Sequence, residues 1–429
     1  MRSSYLGVFL FACALPAQSD LDSWLDRQLG DLVEVYKHFH QHPELSFREK
    51  KTSKKLADLL EKVGATVTRG FGGHGVVAIM ENGVGPTVMV RGDMDGLPVA
   101  EKTGLPYRSK IYTENEKGQA AGIMHACGHD IHITNLIGTA RYLADHKDLW
   151  KGRVMLIGQP AEERSGGASA MLKAGLFTKF KKPDYALALH VSNDAVTGTI
   201  GFGKGPVMAN VDSVDITMYG LGGHGAKPHL TIDPVIQAAQ LILQLQTIVS
   251  REIAASDPSV ITVGSIHGGT KHNIISDTCH LQITVRSYSD AVRAHLKTAI
   301  IRKANAVAAG ARAKQPTVAY SEGTPSLINN AALVDRGVKA MRAVLGDSNV
   351  TPMNPVMTAE DFGRFGRAGV PIFMFRLGTI SPARMASYRA SGNPIPSLHS
   401  SHYYPDPRES LATGIKAMAA VLLELLPAK

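Results

Sequence analysis

The stretch RVMLIGQPAEERSGGASAMLKAGLFTKFKKPDYALALH, Arg153 to His190, reads as strand, turn, helix and strand in succession. RVMLIGQP and DYALALHV are apolar runs of strand length, and SGGASAMLKAG between them has helical spacing. Two strands joined through a helix imply a parallel pair. The same alternation spreads outward. GVVAIM (75–80) and TVMVRGDMD (87–95) read as strands, Asp130 to about Asp145 as a helix, and Leu21 to about Val63 as helix broken by the turn HPELSF. The pattern predicts an α/β fold with a mostly parallel sheet and helices on both faces.

The opening stretch also carries chemistry. Glu162 and Glu163 follow its first strand and His190 ends its second, the place where open α/β sheets build their sites. Two more donor segments join them: MHACGHD (Met124–Asp130), with a thiol and two imidazoles within five residues, and PSLHSSHYYPD, with His399. Cys127 and His129 flank one glycine, so a bend there could turn both donors toward one cation or a pair. Taken singly, each segment has a plain reading: a core cysteine, a satisfied histidine near a strand end, an acidic pair opening a helix. Four such segments on one framework are read as a metal site.

Near Asn210 the pattern changes. VDSVDITMYG alternates with period two, and a Gly-rich turn leads to a helix from Ile232 to about Ile253. Strands VITVGSIHG and HLQITVRS follow, then a helix from Asp290 to about Ala309 and a strand around Thr317 to Tyr320. A β-α-β-β-α-β order is the ferredoxin-like, split βαβ arrangement. Helix–strand alternation resumes after Gly323, so residues 210–322 are expected as a small domain inserted between 18–209 and 323–429.

The chain has 429 residues, 44% hydrophobic and 19% charged, which is globular composition long enough for two or three domains. Arg2, the apolar run Tyr5 to Leu15 and the small residues Ala14 and Ala17 read as a signal peptide over residues 1–17, too short for a stable membrane span. Lipoprotein processing at Cys13 is the variant of that reading. A secreted or periplasmic location is expected. With only Cys127 and Cys279 beyond the leader, disulfides do not explain the cysteines: Cys127 is read as a ligand or nucleophile and Cys279 as a strand residue. The formal charge is +9, and Lys50, Lys51, Lys54 and Lys55 form the solvated face of a helix whose apolar face holds Leu56, Leu59 and Leu60. No basic patch is interleaved with aromatics, so nucleic acid is not an expected partner.

The segments HPELSFREKKT, RGDMDGLP, MHACGHD, GQPAEERSGGASAM, GLGGHGAKPH, GGTKHNIISD, TAEDF and LHSSHYYPD resemble, in the same order, those of the aminoacylase and carboxypeptidase family of dinuclear metallohydrolases. The likeness extends to its amidohydrolase branch, typified by hippurate hydrolase and indole-acetyl-amino-acid hydrolases. It implies two divalent ions per subunit, zinc first, with manganese, nickel or cobalt as alternatives. It also implies that Cys127 bridges them, His129 and His190 completing one site and Glu163 and His399 the other. Thiolate and imidazole suit such metals. By the same resemblance Glu162 activates a metal-bound water that attacks the amide of an N-acyl-amino acid or short peptide. Asp93 orients a ligand, and Arg91 stands where related branches carry a ligating His. The inserted domain acts as lid and homodimer contact. Its His224 reaches the partner subunit's site to stabilise the oxyanion, while Asn273 and Arg286 hold the substrate carboxylate. Ser276 in HNIISD departs from a proline common in relatives, which touches the loop shape.

Two other readings stay open at this level. A cysteine hydrolase would use Cys127 as nucleophile with His129 or His125 as base. A non-catalytic metal-binding protein would keep the ligands and could dispense with Glu162.

Overall fold

The computed structural model describes residues 15–114 and 118–428. The expected leader, its last three positions excepted, and the alternative at Cys13 lie outside the described residues. Among those residues no helix is long and apolar enough to cross a membrane. Two compact units make up the chain. The first comprises Met1–Phe202, Ala332–Pro352 and Phe373–Lys429; the second comprises Gly203–Ala331 and Met353–Ile372.

The first unit is built on an eight-stranded sheet. Its spatial order is Thr66–Phe71, Gly75–Asn82, Gly152–Gln159, Thr87–Asp93, Tyr185–Val196, Ile372–Ile380, Ile200–Phe202, Val350–Pro352. Thr87–Asp93 lies at its heart, parallel to Gly152–Gln159 on one side and to Tyr185–Val196 on the other. Every residue of this strand is buried. Burial on both faces is why the strand reads as a continuous apolar run and not as an alternation. The pairs at the Thr66–Phe71 end are antiparallel, as is the pair of Ile372–Ile380 with Ile200–Phe202. The α/β class and the mostly parallel central sheet are thus as expected.

Helices Leu15–Gln41, His129–Asp145 and Pro407–Leu425 pack on one another. The last two cross on paired glycines. A Cβ at Gly138 would stand 2.3 Å from Ile415 Cδ1, and one at Gly414 would stand 2.2 Å from Asn135 Nδ2. Only a bare backbone fits such an approach in a close-packed interior. Because His129–Asp145 is buried on nearly all sides, its first residues are held as firmly as the core itself.

The second unit carries a four-stranded antiparallel sheet in the order Ser259–Gly268, Thr278–Ser287, Asp212–Tyr219, Thr317–Glu322. Helices Pro234–Arg251 and Asp290–Gly310 pack together and on this sheet. Both have side-chain N-caps. Asp233 accepts from the Val235 and Ile236 N–H groups, and Ser289 accepts from Val292 N–H. Buried and less buried residues alternate along Asp212–Tyr219, the period-two signature of a strand with one face on a core. Cys279 is a buried residue of that core.

Candidate metal centre and base

Gly128 sets the first two donors. It adopts φ +75° and caps the helix that starts at His129, leaving Cys127 and His129 on either side of a left-handed turn. An added Cβ there would fall 2.6 Å from Val191 Cγ2, so the turn is seated directly against the neighbouring strand. That strand carries His190, whose Nε2 lies 3.5 Å from Cys127 Sγ. His399, at φ +67°, is tied to the same loop through its N–H to Ala126 O at 2.9 Å.

Donor atoms converge in two groups that share the Cys127 sulfur. Cys127, His129 and His190 have ligand atoms within 4.8 Å of one another, and so do Cys127, Glu163 and His399. His399 Nε2 is 3.4 Å from Glu163 Oε1. Both imidazoles of the first group are turned for coordination: His129 Nδ1 donates to Asp95 O at 2.9 Å and His190 Nδ1 to Val191 O at 2.8 Å, directing each Nε2 toward the other donors. His129 Nε2 and Glu163 Oε1 are buried without any hydrogen-bond partner. Two unpartnered polar atoms in one buried pocket of thiol, imidazole and carboxylate fit a pair of divalent cations.

Electrostatics agree. Burial pushes the Cys127 thiol well above its ordinary value, with the Glu163 charge adding to it, and burial lifts Glu163 to about 7. Burial opposes protonation of His129, but Asp93, Asp95 and Cys127 outweigh it and raise its pKa well above the usual range. Burial and the Arg376 charge hold His190 well below it. Ion binding at Cys127, His129 and Glu163 would therefore release protons, whereas His190 is already poised without one.

Glu162 belongs to neither of the two groups that share Cys127, but its Oε2 lies 3.9 Å from His129 Nε2, as does Glu163 Oε1, and these three residues form a further converging set. Asp95 fixes the backbone of both acids. Asp95 Oδ1 accepts from Glu162 N–H at 3.1 Å and Oδ2 from Glu163 N–H at 3.0 Å. The pair sits in a turn, with the following helix beginning only at Gly167, so it does not open a helix.

Asp93 is fully buried and takes two partners: Arg91 Nη1 at 2.5 Å and His132 Nδ1 at 2.5 Å. Its Oδ2 stays 3.5 Å from His129 Nε2. His132 Nε2 in turn accepts from Val191 N–H at 3.0 Å, so Asp93 reaches the His190 strand through His132. Arg91 Nε donates to Gln159 Oε1 at 3.0 Å. His132 carried no expectation from the sequence, although its i,i+3 spacing from His129 puts both on one helix face.

His224, Asn273 and Arg286 belong to the second unit. His224 pairs with Ile274 in a short ladder, and Gly225 N–H donates to Asn273 O at 2.9 Å, so the two glycine-rich loops lie side by side. His224 Nδ1 accepts from Ala226 N–H at 3.0 Å, which leaves the ring proton on Nε2. Arg286 is half-buried and donates to Met357 O at 2.9 Å. His229 is exposed in the adjoining 3-10 turn.

Residues 89–424 match the sequence profile of peptidase family M20/M25/M40. The chain belongs to that family. It is 37% identical over 359 residues to thermostable carboxypeptidase 1 of Saccharolobus solfataricus, spanning 82% of this chain and 87% of the relative. It is 36% identical over 344 residues to N-acetyl-L-cysteine deacetylase of Bacillus subtilis, spanning 80% and 78%. A solved Bacillus subtilis structure, described as a dinuclear metal-binding M20 peptidase, superposes with a TM-score of 0.77 at 29% identity over 94% of this chain and 99% of that one. This M20 member is a metal-dependent amidohydrolase, and its donor set provides for two divalent ions.

Proposed function

We propose that this enzyme hydrolyses the amide bond of N-acyl-amino acids or of short peptides with a free carboxylate. The observation that carries the reading is the pair of donor groups sharing Cys127 Sγ, with a second carboxylate, Glu162, beside them and outside both. Cys127, His129 and His190 would hold one ion and Cys127, Glu163 and His399 the other. Bound divalent ions would supply Lewis acidity, polarising the scissile carbonyl and easing deprotonation of water.

The chain's own groups do the rest. Glu162 takes the proton of the attacking water and returns it to the departing amine nitrogen. The two Asp95 hydrogen bonds fix the backbone of both acids, whose carboxylates each come within 3.9 Å of His129 Nε2; Glu163 serves as ligand while Glu162 handles the proton. Asp93 and His132 hold the backbone beside His190 and orient that donor. His224, with Nδ1 accepting from Ala226 N–H, donates from Nε2 to the oxyanion as the carbonyl turns tetrahedral, and it does so across a homodimer built on the 210–322 lid segment. Asn273 and Arg286 bind the substrate carboxylate. Zinc is the first choice of ion, because one thiolate and three imidazoles favour a late divalent metal.

A panel of N-acyl-amino acids and dipeptides, assayed with metal-reconstituted enzyme before and after chelation, tests the proposal. Turnover confined to substrates with a free carboxylate, and lost on chelation, is the expected result. Chelator-resistant turnover would instead favour Cys127 as nucleophile, and no turnover on any member would favour a binding role.

A further inference from the structure

Glu49 immediately precedes helix Lys50–Lys62, in the N-cap position, yet its side chain makes no capping bond. Glu44 does that work from a distance, its Oε2 accepting from Lys51 N–H and Thr52 N–H at 2.8 Å each and from the Thr52 hydroxyl at 3.0 Å. Glu49 is thereby released. Fully buried, it turns away from its own helix, and Oε1 accepts from Ala161 N–H at 2.7 Å and from Phe47 N–H at 2.9 Å.

Ala161 is the residue just before Glu162, and its backbone is unusual. It stands at φ +49°, a left-handed conformation that costs a residue with a Cβ about 1–2 kcal/mol. Its carbonyl accepts from both Gly166 and Gly167 N–H, closing the turn over Glu162 and Glu163. Ala161 is therefore the pivot of the turn, and Glu49 fixes its other polar group. Asp95 grips the next two N–H groups, and Ser46 from the same HPELSF loop donates to Asp95 Oδ2 at 2.6 Å. Three successive N–H groups, Ala161 to Glu163, thus end on two buried carboxylates.

We propose that Glu49 is a positioning residue for Glu162: its Oε1 holds Ala161 in the left-handed conformation and so aims the proton-handling carboxylate. The inference rests on the reading of Glu162 as the base. What matters is an acceptor at this reach, because Oε2 is buried without any partner and takes no part. Gln keeps the acceptor where Oε1 stands. Asp keeps the charge but withdraws the acceptor by one methylene.

The test uses the full chain loaded with divalent ions, with Glu49→Gln and Glu49→Asp each made alone and with Glu162→Gln. Ion content and thermal midpoint are measured beside kcat and KM. Glu49→Gln should retain kcat within about threefold, while Glu49→Asp should lose about tenfold or more in kcat, with KM and ion content unchanged, since small misplacement of a reacting group is costly. In the Glu162→Gln background Glu49→Asp should cause no further loss. The proposal is overturned if Asp retains kcat, if Gln falls as far as Asp, if ions leave in Glu49→Asp, or if the loss is equal in both backgrounds. Full activity of Glu162→Gln alone would overturn the base reading itself, and that outcome is visible without any change at Glu49.

Discussion

His40 Nδ1 lies 2.7 Å from Asp130 Oδ2, with both side chains closed off from solvent. On its other side His40 Nε2 is 3.1 Å from Glu101 Oε1, so one imidazole bridges two buried carboxylates. Asp130 directly follows His129, and Glu101 adjoins Lys102, whose N–H donates to Ser401 O on the His399 loop. The bridge therefore braces the start of the helix that carries His129 against the segment hydrogen-bonded to the His399 loop.

This bridge should make stability fall with rising pH. Burial opposes the charge on His40, but the hydrogen bonds it donates to Asp130 and Glu101 raise its pKa to about 9. A raised histidine pKa contributes stability that is fully present below about 6.5 and is lost as pH passes 9. At about 1.4 kcal/mol per pKa unit, its ceiling is about 3 kcal/mol. Thermal midpoints from pH 6 to 10 for wild type and His40→Gln check it. The wild type should lose more across that window, and parallel curves would refute the bridge as charged.

Glu162 and Glu163 should separate cleanly by substitution. Glu162→Gln should keep two ions per subunit and lose orders of magnitude in kcat, because a proton acceptor goes and no ligand does. Glu163→Gln should lose metal. Elemental analysis beside kinetics decides, and the reverse pattern would exchange the two roles.

Gly128→Ala should cost metal and stability together. The new Cβ would need a left-handed backbone and would collide with Val191 at 2.6 Å, so a penalty of about 2 kcal/mol or more is expected. A variant that unfolds like the wild type and binds both ions would show that the turn is soft.

In the proposed homodimer, His224 should act across the subunit boundary. His224→Ala and Glu162→Ala should each be nearly inactive, yet refolding them together should restore roughly a quarter of wild-type sites, since random mixing makes about half the dimers hybrid and each hybrid has one intact site. No recovery, with wild-type controls refolding well, would assign His224 to its own subunit or to no catalytic role.

The donors were legible because each falls near the end of an apolar run or next to a glycine, where strand or turn reading is easiest. His190 shows the limit. Its strand continues to Val196 through SNDAV, whose half-exposed polar residues hid the continuation. The edge strand Thr66–Phe71 was missed for a similar reason, being mostly exposed and polar. Contacts between distant segments left no local trace at all. Glu49 and Ala161 are 112 positions apart, and neither the acid nor the alanine differs in sequence from any other. Only the fold makes them neighbours.

One sulfur serves both donor groups, which gives the enzyme a single point of chemical failure. Oxidation of Cys127 to a sulfinic acid would remove a ligand from both groups in one irreversible event, with no partly active one-ion form left behind. Its burial is therefore protective. The state most open to peroxide should be the transient one in which the ions are absent and the surrounding loops open, so loss of metal and oxidative inactivation would be successive stages of one decay.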